Sequence, residues 1–399
     1  MISFNEALAL SLQHTGILDK ESIPLFQAVD RIAGYDLVGL VDSPSVDASL
    51  KDGYAVHSND IAKASVDSPV NLRIVGSVAA GGAWAGSVAP GEALRILSGA
   101  PIPDGADAVI AEEFTQLLHR TLVVFNDAHP GRNILSRGSD VRKGVTLATE
   151  GDRLTPLKIG LIAAAGYAAI PVIRKPPVAI LATGDEVVAP GNPLGKGKLY
   201  ASNLVTLASW CSRYKMPVET LVVEDSPDLI REKLQYCLCN YEVVITSGGA
   251  WSGDRDMVIG VLDELGWQKI YHRVRMGPGK AVAFGLYDGK PVFCLPGGPP
   301  SNHMAFIQLV LPCLKKLCGL GSAGLPLIKV KLTETVMGQA DWTQFIHGKL
   351  VIIDKHPLFV SLKQKSRLQM MSGTDIIVTI PEGQTQLPEG QIVSGQDLR

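Results

Sequence analysis

The stretch VVITSGGAWSGDRDMV, residues 243–258, decides the fold class of this chain. Three apolar residues lead through Thr246 and Ser247 into two glycines. Asp254 and Asp256 follow in a second polar turn before the next apolar run begins. A short apolar strand that ends in a glycine turn before a helix is typical of a parallel sheet covered by helices.

The sequence around this stretch repeats the alternation of strand and helix. The predicted strands are PVAILATGDE (177–186), VETLVVE (218–224) and EVVITSGG (242–249). The predicted helices are 201–214, 226–238, 254–266 and 302–319, and a hairpin over 281–295 turns at Asp288-Gly289. Continuous apolar strands between helices indicate an α/β domain with a mostly parallel, doubly wound sheet.

The remaining sequence predicts a multidomain α/β protein. Helices are predicted at 3–14 and 154–168, with β-rich sequence between them and short alternating strands after Leu325. We expect four parts: a helical linker domain (1–22 plus 142–172), a glycine-containing β-rich domain (43–141), the α/β domain (23–42 plus 173–322) and a C-terminal β-barrel (323–399).

Composition excludes several classes of protein. The 399 residues carry a net charge of −2, which offers no overall basic surface for nucleic acid. No signal peptide and no apolar run long enough for a membrane span is found, so we expect a cytoplasmic protein without a membrane partner. None of the six cysteines forms a CxxC pair, which disfavours zinc sites and disulfides.

Chemically similar loops follow the predicted parallel strands. In an open parallel sheet, ligands bind beyond the carboxyl ends of the strands. The candidate site residues in these loops are Thr183, Gly184, Asp185, Glu186, Asp225, Ser247, Gly248, Gly249, Asp254, Asp256, Lys280, Pro296 and Gly297. We therefore expect one pocket at this edge of the sheet.

Glycines, a lysine and acids in one pocket predict a phosphate held beside a metal ion. Glycine amides at a strand-to-helix turn bind oxyanions, and Lys280 adds a positive charge. The carboxylates would repel a phosphate, so we predict a bridging divalent cation, Mg²⁺ being the best match to oxygen ligands. Each loop also has a structural alternative, such as a tight connection or Asp254 as a helix cap.

Seven ordered motifs carry a resemblance that covers nearly the whole chain. They are SLKDGYAV (49–56), SGAPIPDGADAVI (98–110), GRNILSRGSDVRKG (131–144), ATGDEV (182–187), TSGGAWSGDRD (246–256), GPGKAVAFG (277–285) and LPGGPPS (295–301). In this order they resemble the MoeA family of molybdopterin molybdenumtransferases, to which the gephyrin E domain also belongs. The α/β domain is then expected to be MogA-like.

The resemblance implies an activity and an assembly. Such proteins insert molybdate into adenylylated molybdopterin, their substrate, and release AMP with the help of a divalent cation. They are elongated homodimers with a cleft between the MogA-like domain of one subunit and the glycine-rich β domain of the other. The resemblance also implies two kinds of protein partner, a molybdopterin adenylyltransferase and maturation proteins of molybdoenzymes.

The resemblance assigns roles to individual residues. Asp52 would be an acid contributed across the dimer, and Ser98 stands where the family usually has threonine. Glu186, Asp225 and Asp256 would face the pyrophosphate and its metal. The residues matched to the oxyanion and its surroundings are Lys280, Ser301, Ser366 and His347, the last at the position of an arginine.

Departures from the family pattern concentrate at the oxyanion half of this site. They are Lys51, Trp251, Gly277, Ala281, Gly298, Pro300 and His347. Two hypotheses follow: a transferase with a divergent pocket, tuned to an oxyanion such as tungstate, or a duplicated copy that serves as a binding or scaffold subunit without turnover. The complete set of mutually repelling carboxylates favours the transferase.

Overall fold

A computed structural model describes residues 1–249, 257–321, 324–363 and 366–399. The chain divides into two compact units, Met1–Glu21 with Ile173–Arg399 and Ser22–Val172. The strands Lys20–Pro24 and Ala169–Ile173 each run across a division between the units. In the described parts of the chain, no helix is both long and apolar enough to cross a bilayer.

A six-stranded sheet forms the centre of the first unit. Its strands lie in the order Val218–Val223, Val178–Thr183, Val243–Ser247, Lys290–Leu295, Ala283–Tyr287 and Gln268–His272. The first four run parallel to one another. Ala283–Tyr287 runs antiparallel to both of its neighbours, Lys290–Leu295 and Gln268–His272. The predicted mostly parallel sheet is therefore confirmed, with its carboxyl ends at Thr183, Val223, Ser247 and Leu295.

Alternation along the strands explains why helices cover both faces. Ile180 packs in a core with the helices Ser202–Arg213 and Pro299–Ala305, whereas its neighbour Leu181 packs with the helices on the other face. Those other helices are Pro227–Asn240 and Met257–Glu264. Successive side chains of a strand point to opposite faces, so a strand that is apolar at every position needs a cover on both.

Local signals set the bounds of several elements as expected. Thr155 accepts a hydrogen bond from the backbone N–H of Lys158 and caps the helix Pro156–Ala164, and the N-terminal helix is Phe4–Gln13. The predicted hairpin turns at Asp288 and Gly289, both with positive φ. The predicted last helix is instead three consecutive pieces, Pro299–Ala305, the π-helix Phe306–Val310 and Leu311–Leu317.

The C-terminal strands close into a barrel. Thr343–Ile353 pairs with both His356–Ser361 and Ile376–Ile380, and the remaining pairings join Leu327–Leu332 and Ile392–Asp397 into the same ring. Five strands thus form a closed sheet, as the sequence predicts for this part of the chain. Smaller elements of the unit are Ile2–Ser3, Val187–Val188, Leu199–Tyr200, Val274–Gly277, Val336–Met337, Arg367–Ser372 and Gln386–Leu387.

The second unit is built mainly from β-strands. Its six-stranded sheet has the order Ala108–Ala111, Gly53–Val56, Glu92–Ile96, Val70–Val78, Thr121–Val124 and Thr115–Leu118. Short strands Leu37–Val38, Ala48–Ser49, Ile134–Leu135 and Thr146–Ala148 and the 3-10 turns Leu25–Gln27, Ser58–Ile61 and Glu112–Phe114 complete it. The predicted β-rich character of this region is confirmed.

Two segments pack differently from the predicted domain grouping. Residues 1–22 were expected beside 142–172, but Phe4 and Ala7 are buried in the core of the first unit. Residues 23–42 were expected in the α/β domain, but Ile23, Leu25 and Leu37 share a core with Leu154 and Ile162. Short apolar patterns do not specify which core they join. The boundaries at 43–141 and 323–399 stay predictions.

Candidate functional site

The glycine loops lie at the carboxyl ends of adjacent parallel strands. Gly184 follows Thr183, and its N–H donates to the carbonyl of Val223 at 3.2 Å. Gly248 follows Ser247 with a φ of +103°, and a Cβ there would lie 2.8 Å from the carbonyl oxygen of Thr183. Only glycine fits such a close approach of two backbones. The sequence therefore places bare backbone at the edge where ligands of parallel sheets bind.

Two asparagines that the sequence did not single out tie these loops together. The Nδ2 atoms of Asn203 and Asn302 donate to Ser247 Oγ at 3.2 and 3.0 Å. Asn203 also donates to the carbonyl of Gly297 at 2.8 Å, and Asn302 to that of Pro296 at 2.9 Å. Both lie in the first turn of a helix, where asparagine is an ordinary residue. Their role becomes visible only when the loops after two strands are placed side by side.

The acidic residues described at this edge belong to neighbouring loops. Asp185 is exposed, and its Oδ1 accepts the backbone N–H of Asp225 at 3.0 Å, which joins the first two loops. The Glu186 carboxylate lies over Gly184, since a Cβ on that glycine would be 2.7 Å from Glu186 Oε2. No cluster of three potential metal-binding side chains occurs among the described residues. Asp254, Asp256 and Trp251 lie outside them.

Lys280, Pro296 and Ser301 line one cleft. The cleft, of about 340 Å³, is also lined by residues 276–279, Ala281, Gln339, Trp342 and Gln344. The Lys280 ammonium lies 5.3 Å from the centre of the Trp342 ring, a cation–π contact that the sequence did not indicate. Trp342 comes from the C-terminal part of the unit, so its approach depends on the fold and not on any local motif.

Two predicted site residues of the barrel have other contacts in this structure. His347 is buried, with Nδ1 3.1 Å from Thr374 Oγ1, and it does not line the Lys280 cleft. Its burial lowers the pKa of the imidazole to about 4, so the His347 side chain is a neutral group inside the protein at pH 7. Ser366 caps the helix Arg367–Ser372 by accepting from the Gln369 N–H at 3.3 Å.

Asp52 and Ser98 lie together in the other unit. Asp52 Oδ1 accepts the backbone N–H of Ser98 at 2.7 Å, and its carbonyl accepts from the N–H of Glu112. Both side chains line a pocket with Leu50, Lys51, Glu112 and Glu113. The hydrogen bond fixes one oxygen of the Asp52 carboxylate. With three carboxylates and only Lys51 as a cation, the lining of this pocket is acidic.

Comparisons with known proteins match both units. Residues 2–166 match the model described as "MoeA N-terminal region (domain I and II)", and residues 179–316 match "Probable molybdopterin binding domain". Two crystal structures of molybdopterin biosynthesis MoeA proteins from Pyrococcus horikoshii cover the whole chain, at 31% and 26% identity with TM-scores of 0.86 and 0.81. The shared architecture is thus an N-terminal MoeA region joined to a molybdopterin-binding α/β domain.

Characterised relatives agree with the structural match. The molybdopterin molybdenumtransferase of Haemophilus influenzae is 33% identical over 301 residues, which are 75% of this chain and 73% of that protein. The molybdopterin molybdenumtransferase of Nostoc sp. is 29% identical over 94% of this chain and 88% of its own length. The chain belongs to the MoeA family of molybdopterin molybdenumtransferases, and the resemblance found in the sequence is confirmed.

Proposed function

We propose that this chain is a molybdopterin molybdenumtransferase that inserts molybdate into adenylylated molybdopterin and releases AMP. The observation that carries the proposal is the placement of Lys280, Pro296 and Ser301 in one cleft. Asn203 and Asn302 join the loop from Pro296 to Ser301 to the glycine turn at Ser247. A cation beside bare backbone is the chemistry needed to hold phosphate and molybdate oxygens.

The proposed roles follow from the position of each group. The backbone at Gly184, Gly248 and Gly249 allows phosphate oxygens of the substrate to approach without side-chain obstruction. Lys280, held against Trp342, offers a positive charge to an oxyanion in the cleft. Carboxylates in the same pocket as a phosphate would repel it, which supports a partnering cation.

The acidic loops fit a hard divalent cation by their chemistry. Glu186 and Asp225 follow adjacent strands and present carboxylate oxygens, the ligands that Mg²⁺ prefers. Asp256, from the next loop, is the third proposed ligand. When bound, Mg²⁺ would neutralise charge on the phosphates from which AMP departs.

We also propose that the protein works as a homodimer in the cytoplasm. The helix Pro156–Ala164 exposes apolar residues, with Leu157 88% accessible, and Phe26 near it is 98% accessible. Apolar side chains this exposed and this close together are typical of a protein interface. Cys211, Cys237, Cys239, Cys294 and Cys313 are free thiols, which fits a reducing compartment.

The decisive experiment is AMP release by purified protein with adenylylated molybdopterin, Mg²⁺ and molybdate or tungstate. Release that depends on the oxyanion is expected, and the preferred oxyanion follows from the relative rates. Tight binding of the adenylylated pterin without release would contradict the proposal and favour a binding subunit.

Lys280→Ala is the variant that tests the cleft, with Lys269→Ala as its control. Lys269 also lies against a tryptophan, 5.9 Å from the Trp267 ring centre, but outside the cleft. We expect Lys280→Ala to lower kcat/KM at least tenfold, since a charged contact contributes about 1.5–3 kcal/mol. Equal activity of the two variants would remove Lys280 from the site.

A further inference from the structure

An arginine from the C-terminal part of the chain approaches the loop that borders the Lys280 cleft. Arg367 is the first residue of the helix Arg367–Ser372, and the Ser366 cap fixes where this helix begins. The helix Arg367–Ser372 lies against the helix Pro299–Ala305, which follows the loop that begins at Pro296. Neither the motif pattern nor local sequence singles out Arg367.

The guanidinium of Arg367 lies close to Gly298. A Cβ built on Gly298 would lie 4.0 Å from Arg367 Nη1, which is the nearest described heavy atom outside Gly298 and its two chain neighbours. Pro296 and Ser301, on either side of Gly298 in the chain, line the cleft with Lys280. Two positively charged side chains therefore border the same short loop, one at the cleft and one at Gly298.

The contacts of Arg367 differ from those of other arginines in the same unit. Arg231 pairs with Glu264, Arg275 with Glu382 and Arg399 with Asp397. Among the residues that the structure describes, no carboxylate or carbonyl pairs with the exposed Arg367 side chain. An arginine presents five donors in a planar fork that matches tetrahedral oxyanions, and here that fork stands beside bare backbone.

We propose that Arg367 binds a tetrahedral oxyanion of the substrate, either the molybdate or a phosphate of the pterin, at the loop from Pro296 to Ser301. This inference rests on the proposed function, whose site it completes. Arg367 supplies a permanent charge that Gly277 and the buried His347 do not.

The test compares Arg367→Gln with Arg120→Gln, which removes the same charge from an exposed arginine of the other unit. We expect Arg367→Gln to raise KM about tenfold for one substrate, with a smaller effect on kcat. A rise for molybdate assigns Arg367 to the metal oxyanion, and a rise for adenylylated molybdopterin assigns it to a phosphate. Arg367→Lys should recover part of the loss, because it keeps the charge but not the fork.

Direct binding separates this inference from the proposed function. Calorimetric titration of the wild-type chain and of Arg367→Gln with molybdate and with pyrophosphate measures oxyanion affinity without turnover. Weaker binding of either anion by Arg367→Gln, with wild-type thermal unfolding, supports the inference even where no AMP is released. Unchanged KM values and unchanged affinities, or no binding of either anion by the wild-type chain, would overturn it.

Discussion

The hydroxyl oxygen of Ser247 accepts hydrogen bonds from two amides, and this single atom links three segments of the candidate site. Ser247 was predicted as a site residue because it stands where the apolar run of a predicted parallel strand ends. Asn203 and Asn302 were not, because the hydrogen bonds join residues 44 and 55 positions apart. Contacts of that kind are set by the packing of helices on the sheet, which no local pattern encodes.

Removing one of these amides should loosen the glycine loop. Asn203→Ala loses the bonds to Ser247 Oγ and to the Gly297 carbonyl. We expect KM for adenylylated molybdopterin to rise by up to about thirtyfold, since two hydrogen bonds of about 1 kcal/mol each hold the loops in register. Asn240→Ala, which loses a bond only to the Tyr236 carbonyl, is the control. Similar kinetics for both variants would show that the tie does not position the loop.

Two buried histidines should make stability depend on pH. Burial lowers the pKa of His303 and of His347 to about 4 each, and the charge of His347 lowers the His303 pKa further. The unfolded chain therefore binds protons that the folded chain does not between about pH 6.5 and 4, so the free energy of unfolding falls as pH falls through this window. The full effect is on the order of 3 kcal/mol per histidine.

Urea unfolding at pH 7 and pH 5 measures this effect. His347→Gln should lose less stability than the wild type on acidification, because it removes one of the two groups. His356→Gln, which changes an exposed histidine of the same barrel, should keep the wild-type difference. An equal loss in all three proteins would assign the acid sensitivity to other groups.

Strands and helices were most predictable from the sequence where one pattern sets both conformation and burial. The strand Val178–Thr183 is apolar at nearly every position and is buried on both faces, as predicted. The last helix was less predictable, because the turn Phe306–Val310 widens to a π-helix inside an otherwise uniform apolar run. Its Gln308 exchanges two amide hydrogen bonds with Gln396, a contact across the fold that a helical pattern cannot reveal.

The glycine turn after Val243–Ser247 should tolerate no side chain. Gly248→Ala forces a Cβ to 2.8 Å from the Thr183 carbonyl at a φ of +103°. We expect a loss of about 1–3 kcal/mol in the free energy of unfolding and weaker binding of the adenylylated pterin. Gly260→Ala, within the helix Met257–Glu264 and with open space around the added methyl, should stabilise the protein by about 0.5–1 kcal/mol. Urea unfolding of the two variants measures the change in the free energy of unfolding for each. An unchanged value for Gly248→Ala would contradict the close approach of its Cβ to the Thr183 carbonyl.

The order of the motifs was enough to predict the architecture of the molecule but not which segments share a hydrophobic core. The helix Phe4–Gln13 was recognised, yet its burial with Val274, Met276 and Phe345 could not be, because any apolar stripe can complete any core. Association between copies of the chain depends on surfaces that a single chain leaves exposed.

We expect the exposed apolar face of Pro156–Ala164 to form the interface of the proposed homodimer. Leu157, Gly160, Leu161 and Ala164 share one side of this helix by their spacing, and Leu157 is 88% accessible. Leu157→Asp should convert the dimer to a monomer, because a buried charge without a partner opposes association. Light scattering after gel filtration measures the mass. Leu327→Asp, at a leucine that is 65% accessible in the barrel, should stay dimeric, and a dimeric Leu157→Asp would place the interface elsewhere.

If subunits of that dimer share their sites, two inactive variants should complement each other. Asp52 and Lys280 belong to different units of the chain, and the family resemblance assigns them to one site drawn from two subunits. In a heterodimer of Asp52→Asn and Lys280→Ala chains, one shared site then carries both changes and the other carries neither. Purified with two different affinity tags, this heterodimer should release AMP at about half the wild-type rate, whereas each homodimer should be nearly inactive. A site built within one chain gives the opposite result, because every site in the heterodimer would then carry one change and no activity would return.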